Sequence, residues 1–276
     1  MSAETPGFHV SHPSARMRER RSLGKLLEPL TAADLATGNL FFSPLPEFQR
    51  CCRTFQIPKY VFIGPPGGGT YQRLGLFGGI HGDEAAGSVA LVELLRRLIE
   101  DPRPATGYEL FVYPVCNPTG YEDDTRWPRG GEDLNRAFWR NSSEPEVLLL
   151  EHQLEEFRFD GLVSLHADDT SEGLYGYVAG DVLTRHLLEP ALAAAETFLP
   201  RNHTGRIDGW PAERGIIEDA FLGVLAAPPT QTPRPFEIVF ETPQLANFDQ
   251  QVQAHLAALL AILKAHRSLQ AHAANI

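Results

Sequence analysis

His81 and Glu84 stand three residues apart in Gly78-Gly-Ile-His-Gly-Asp-Glu84. Across a strand-to-helix turn, that spacing lets an imidazole nitrogen and a carboxylate oxygen aim at one point. The pair suits zinc, whose catalytic sites keep three protein ligands and one open position. Gly78, Gly79 and Gly82 permit the sharp turn this needs. His-x-x-Glu alone is a weak signal, and the plainer alternative is a helix N-terminal carboxylate beside a loop histidine. The glycine-rich setting favours the metal. His166, closing Asp160-Gly-Leu-Val-Ser-Leu-His166, is the natural third ligand, although taken alone it reads as a hydrogen-bonded core histidine. Asp168 and Asp169 follow, placed to orient a ligand imidazole or to bind the ion themselves.

Glu241 ends Phe236-Glu-Ile-Val-Phe-Glu241. A carboxylate emerging from an apolar strand is partly desolvated, which raises its pKa and suits it to shuttle protons for a zinc-activated water. Glu237 shares its strand face; Glu241 ranks higher because it lies at the strand end. A salt-bridged strand-end glutamate is the plain alternative. Arg126, Arg129 and Asp133-Leu-Asn-Arg136 crowd one polar loop. Arginines suit bidentate carboxylate binding and stabilisation of a developing oxyanion, against the alternative of a surface arginine cluster.

The elements that must position these residues follow from periodicity. Helical spacing is expected within 23–40, capped at Thr31 by a Thr31-Ala-Ala-Asp34 box, and over 84–100, 144–157, 181–198 and 248–270. Strands are expected at 48–56, 59–63, 73–78, 108–115, 160–166 and 236–240. Residues 117–136 read as loop, and 200–235 as mostly loop with a short helix near 217–225. Strands alternating with helices predict an α/β fold: a single-domain mixed, mostly parallel sheet with helices on both faces. The two early strands are expected to pair as an antiparallel edge. Such sheets carry their sites at strand carboxyl ends, where His81-Gly-Asp-Glu84, Asn117-Pro-Thr-Gly120, His166 and Glu241 all fall.

The chain of 276 residues is 43% apolar and 21% charged, enough to bury a full core without cross-links. Residues 1–22 read as an N-terminal arm and 23–276 as one domain. A net charge of −11 argues against nucleic acid and anionic membrane as partners. The first residues show no apolar run of the kind a secretory signal needs. Three cysteines without Cys-x-x-Cys argue against a disulfide framework and for a reducing, cytoplasmic setting. Gly-x-Ser-x-Gly is missing and Ser164 lies within a strand, against a serine hydrolase of the α/β type. Gly67-Gly-Gly69 sits between strands, against a dinucleotide enzyme.

Taken in order, Gly78-Gly-Ile-His-Gly-Asp-Glu84, Asn117-Pro-Thr-Gly120, Arg129 with Asp133-Leu-Asn-Arg-Ala-Phe138, Leu165-His166 and Phe240-Glu-Thr-Pro243 form an ordered set. The set resembles the zinc carboxypeptidase superfamily, which holds the pancreatic-type carboxypeptidases and the succinylglutamate desuccinylase/aspartoacylase branch. The resemblance implies a phosphorylase/hydrolase-like, eight-stranded mixed sheet. It implies one zinc ion per chain on His81, Glu84 and His166, with Glu241 as general base. Asn135 and Arg136 would grip a substrate carboxylate, and Arg129 would polarise the scissile carbonyl, with Arg126 open for the same role. The substrate would be a small peptide or an N-acyl amino acid. The peptidase branch uses a mobile tyrosine ahead of the general base, whereas this chain has no tyrosine after Tyr177. That favours a compact acyl-amino-acid substrate or an unusual peptide. Tyr175, Tyr177, Arg206, Trp210 and Arg214 are candidates to line the pocket. The other class to weigh is a non-catalytic zinc- or ligand-binding protein on the same scaffold; the intact Glu241 and Arg136 speak against it.

Overall fold

The computed structural model describes residues 20–31, 38–179, 182–217, 219 and 221–273. Helix α1 (Leu23–Thr31) leads to β1 (Leu40–Phe42), a hairpin of β2 (Phe48–Arg50) and β3 (Arg53–Phe55), and β4 (Tyr60–Ile63). Then come β5 (Gln72–Gly78), α2 (Ala85–Glu100), β6 (Tyr108–Tyr113), α3 (Pro118–Asp123), α4 (Pro145–Phe157), β7 (Gly161–Asp168) and β8 (Tyr175–Ala179). Helix α5 (Val182–Ala195), β9 (Arg206–Ile207), β10 (Trp210–Glu213), β11 (Ile216–Ile217), β12 (Phe236–Pro243) and α6 (Phe248–Ala273) complete the order.

Among the described residues the main sheet has ten strands, in the order β1-β4-β6-β5-β7-β12-β8-β11-β10-β9. Its centre, β6-β5-β7-β12, is parallel. Parallel strands are covered on both faces and read as near-continuous apolar runs, which is how β5 and β7 read in burial. Helices α2, α5 and α6 cover one face, packing Leu91, Leu95, Leu188 and Leu259 on Val163, Leu165, Ile238 and Phe240. Helix α4 covers the other, with Leu150 and Leu154 against Phe77, Tyr113 and Leu162. Side chains alternate along a strand. β7 therefore turns Val163 and Leu165 to the first layer, and Leu162, Ser164 and His166 to the second. That parity puts His166 on the α4 side, at the carboxyl end.

The α/β class, the mixed sheet and the helices on both faces agree with expectation. The strand count is ten rather than eight, because β9, β10 and β11 extend the β8 edge through segments expected to be loop. No helix forms among the described residues of 217–225. Residues 118–123, expected to be loop, form α3, because Asn117 caps it and Pro118 starts it. Thr31 is the last residue of α1, and its hydroxyl donates back to the Glu28 carbonyl at 2.6 Å. Ala32 to Asp34 and most of the proposed arm, residues 1–19, lie outside the described residues. Segment 48–56 folds on itself as β2–β3, and the antiparallel edge is made by β1 on β4. No helix among the described residues is long and apolar enough to cross a membrane.

Candidate active site

The β5–α2 connection is built for close approach. Gly79 adopts φ 58°, a left-handed conformation that costs glycine little. A Cβ on Gly82 would lie 1.9 Å from the Gly120 carbonyl carbon, so the His81 turn can press on α3 only without a side chain there. Asn117 accepts a hydrogen bond from the Gly120 amide at 2.8 Å. Asn117-Pro-Thr-Gly120 is thus the helix cap that supports the turn.

Upon this support His81, Glu84 and His166 come together. Their candidate ligand atoms lie within 4.8 Å of one another, and all three side chains are buried. His81 Nδ1 is 2.6 Å from Glu84 Oε1, and His166 Nδ1 is 2.9 Å from Glu84 Oε2. The far nitrogens are held: His81 Nε2 lies 3.1 Å from Asp133 Oδ1, and His166 Nε2 lies 2.8 Å from Ser164 Oγ. Both rings therefore turn Nδ1 inward, as a metal site requires of its second layer of contacts. Two imidazole nitrogens and a carboxylate form a donor set that fits a divalent metal. Burial opposes the charge on Glu84, but His81 and His166 outweigh it and hold the carboxyl well below its usual range. Burial likewise opposes protonation of His81, yet Glu84 and Asp133 hold its pKa above the ordinary value; burial prevails at His166, which is lowered.

Glu241 is the register partner of His166 on one side and of Tyr175 on the other. Its pKa is raised well above the carboxylate range by burial first, then by the negative charges of Glu84, Asp168 and Asp208. Glu237 belongs to the other end of β12, where it accepts from Arg234 at 2.7 Å and from the Ala227 amide at 3.0 Å. His81, Glu84 and Glu241 open into a cavity of about 320 Å³ whose wall also includes Arg126, Asn135 and Arg136.

The two loop arginines are separated by the fold. Arg126 reaches the centre, 3.3 Å from Glu84 Oε1, and donates to Asp133 Oδ2 at 3.1 Å. Arg129 turns away and is not part of the cavity wall. It makes a bidentate pair with Asp123 at 2.6 and 2.9 Å and lies 5.0 Å over the Phe55 ring. Asn135 accepts from the Leu225 amide at 2.9 Å through its side-chain oxygen and lines the cavity. Arg136 bonds the Asn135 carbonyl at 2.6 Å and lies 4.3 Å over Phe221, with no carboxylate partner among the described residues.

Asp168 and Asp169 line the cavity but do not orient the ligand rings; Asp168 accepts from Tyr175 and Thr170 instead. The orienting groups are Asp133 and Ser164, which reasoning from sequence left without that role. Ser164 was legible in principle, because it precedes His166 by two on one strand and shares its face. Tyr175, Tyr177 and Trp210 line the cavity, whereas Arg206 lines a neighbouring depression and Arg214 pairs with Glu189 at 2.8 Å. Asp208, another wall residue, sits in the two-residue turn Asp208-Gly209 between β9 and β10, with φ of 50° and 81°. Asp-Gly between apolar residues is a strong hairpin signal, and it would have revealed both the hairpin and its acidic tip.

A family model for the succinylglutamate desuccinylase/aspartoacylase catalytic domain matches residues 70–203. Among curated proteins no sequence matches the chain. Solved structures share its fold. A candidate metallopeptidase from Shewanella denitrificans OS217 superimposes with a TM-score of 0.72 at 24% identity, covering 87% of this chain and 89% of that one. A metallo-carboxypeptidase from Burkholderia cenocepacia gives 0.70 at 16% identity, over 91% of this chain and 70% of that one. A metallo-carboxypeptidase from Pseudomonas aeruginosa, in complex with (2-guanidinoethylmercapto)succinic acid, gives 0.68 at 16% identity, over 89% and 69%. The domain match over residues 70–203 and the shared fold agree with the ordered motifs and support a likeness to the zinc carboxypeptidase-like superfamily, which includes the succinylglutamate desuccinylase/aspartoacylase branch.

Proposed function

We propose that the chain is a zinc-dependent hydrolase that cleaves an amide bond next to a carboxylate-bearing group, as a metallocarboxypeptidase or an N-acyl-amino-acid deacylase. One observation carries the reading: His81, Glu84 and His166 converge on one point, and His81 and Glu84 line a cavity that Glu241 also lines. The substrate is a small peptide or an N-acyl amino acid with a free carboxylate. In support, the Pseudomonas aeruginosa relative is seen with a succinic acid derivative, itself a carboxylate.

His81, Glu84 and His166 would hold one zinc ion. Zinc supplies Lewis acidity, which lowers the pKa of water and polarises a carbonyl. The chain's own residues do the rest. Glu241, kept hungry for a proton by burial and neighbouring carboxylates, removes the proton from the attacking water and delivers it to the leaving nitrogen. Arg126 stands at the ligands with its guanidinium facing the cavity, where it stabilises the oxyanion as charge develops. Arg136 and the Asn135 amide group bind the substrate carboxylate and fix its register. Phe221 and Trp210 pack edge to face at 5.9 Å beside Arg136 and limit water there.

The test is a hydrolysis screen of the zinc-loaded protein, comparing peptides with free C-termini against N-acyl amino acids. Turnover of either class supports the reading and decides the branch. Inactivity toward both, with zinc bound, overturns it in favour of a binding protein on the same scaffold.

A further inference from the structure

Only Gly82 and Asp83 separate the ligand candidates His81 and Glu84. Glycine stiffens a turn less than any other residue, yet α3 leaves no room for a side chain at 82. Such a turn must take its rigidity from bonds made from outside. Gly82 is buried, so both of its backbone groups need partners. Its amide donates to the Arg126 carbonyl at 3.4 Å, and the same carbonyl accepts from Asn117 Nδ2 at 3.3 Å. The Gly82 carbonyl accepts from Arg21 Nη1 at 2.8 Å, a donor 61 positions earlier in the chain. A bond from a charged donor is stronger than one from a neutral group.

Arg21 is itself held in place. Its Nη2 pairs with Asp124 at 2.6 Å, its guanidinium lies 5.6 Å over the Tyr121 ring, and its amide donates to the Glu122 carbonyl at 3.1 Å. Asp124 follows α3 in a left-handed conformation, φ 54°, and returns its amide to the Gly120 and Tyr121 carbonyls. One planar fork therefore ties the end of α3 to the metal-centre turn. A guanidinium can bond in two directions and stack at once, which an ammonium cannot do as well. Arg21 does not line the cavity, so it reaches the centre only through Gly82. Arg20 beside it is exposed and reaches Asp123 instead, at 3.4 Å.

We propose that Arg21 is a positioning residue of the metal centre: by fixing the Gly82 carbonyl it sets how His81 and Glu84 present their ligand atoms. The proposal rests on the metal-centre part of the hydrolase reading. It adds a residue that lies outside the matched domain of residues 70–203, in the segment that the sequence alone presents as an arm.

Zinc affinity of the full-length chain tests this without turnover. It is measured by competition against a chromophoric chelator, at a temperature where near-ultraviolet circular dichroism shows every variant folded. Arg21→Ala should weaken zinc binding by about tenfold, the lower end of what loss of an outer contact costs a metal site. Arg21→Lys keeps the charge without the fork and should fall between Arg21→Ala and wild type. Arg20→Ala should bind zinc as wild type does. A residue that merely anchored α1 would lower the unfolding midpoint and leave the zinc affinity of the folded protein unchanged, so unchanged affinity in Arg21→Ala overturns the proposal. Equal losses in Arg20→Ala and Arg21→Ala also overturn it, because the loss would then follow charge and not the Gly82 bond. The expected pattern in a protein that binds zinc but hydrolyses nothing in the screen upholds Arg21 and counts against the hydrolase reading. A wild-type chain without zinc affinity overturns both.

Discussion

Glu241 and His166 occupy paired positions on the adjacent parallel strands β12 and β7. Side chains at paired positions leave the sheet on the same face, so one register places the proposed proton carrier beside a metal-ligand candidate. A one-residue slip would send Glu241 to the opposite layer. The pairing of Phe236 to Pro243 with Gly161 to Asp168 leaves no room for that slip, because Ile238 and Phe240 fill the helix-covered core.

Arg126 and Arg129 should separate cleanly by mutation. Arg126→Ala removes the guanidinium at the centre and should lower kcat by about 10²–10³, the cost of one oxyanion donor. Arg129→Ala breaks the pair with Asp123 and the contact with Phe55, away from the cavity. It should cost about 1.5–3 kcal/mol of stability with kcat nearly unchanged. Steady-state kinetics and denaturant unfolding on both variants check the contrast; the opposite pattern would return the polarising role to Arg129.

Arg136→Ala should raise KM for carboxylate substrates by about tenfold or more, with a much smaller effect on amidated analogues. Equal effects on the two would reject the carboxylate clamp.

Asp133 fixes the His81 ring through Nε2. Asp133→Ala should weaken metal affinity by about 10–100-fold, as loss of an orienting contact does. Competition against a chromophoric chelator reads this directly, and unchanged affinity would remove Asp133 from the metal site.

Glu146 offers a pH test independent of the metal. It lies fully buried in the first turn of α4, and its oxygens find no donor beyond their own residue. Burial pushes its carboxyl up to about 7. A carboxyl raised in the folded state favours folding while protonated, so its contribution is complete below the unfolded value and is lost as pH rises through about 7. Glu146→Gln should therefore stabilise the protein at about pH 8 by up to roughly 3 kcal/mol and change little at about pH 4. Denaturant midpoints at the two pH values decide it; equal shifts at both would contradict the buried-carboxyl account.

The central strands, the long helices and the closeness of His81, Glu84 and His166 were legible in the sequence because each follows from a local rule. β5, β7 and β12 are apolar runs, and His81, His166 and Glu241 sit where those runs stop. The β9–β11 extension escaped because its strands are two to four residues long, too short for periodicity to register. Its turns carried the information instead: Asp208-Gly209 and Arg214-Gly215 both take positive φ. The division between Arg126 and Arg129 was not legible. It depends on α3, whose last turn places Asp123 to capture Arg129, and on Phe55 of the β2–β3 hairpin beneath that guanidinium. Long-range capture of this kind has no signature in the spacing of the loop itself.

The account stands most directly on Glu241. In the zinc-loaded protein, Glu241→Gln should keep one zinc ion per chain by atomic absorption while kcat on the best substrate from the screen falls by about 10²–10⁴. Turnover near the wild-type level with zinc retained would contradict it.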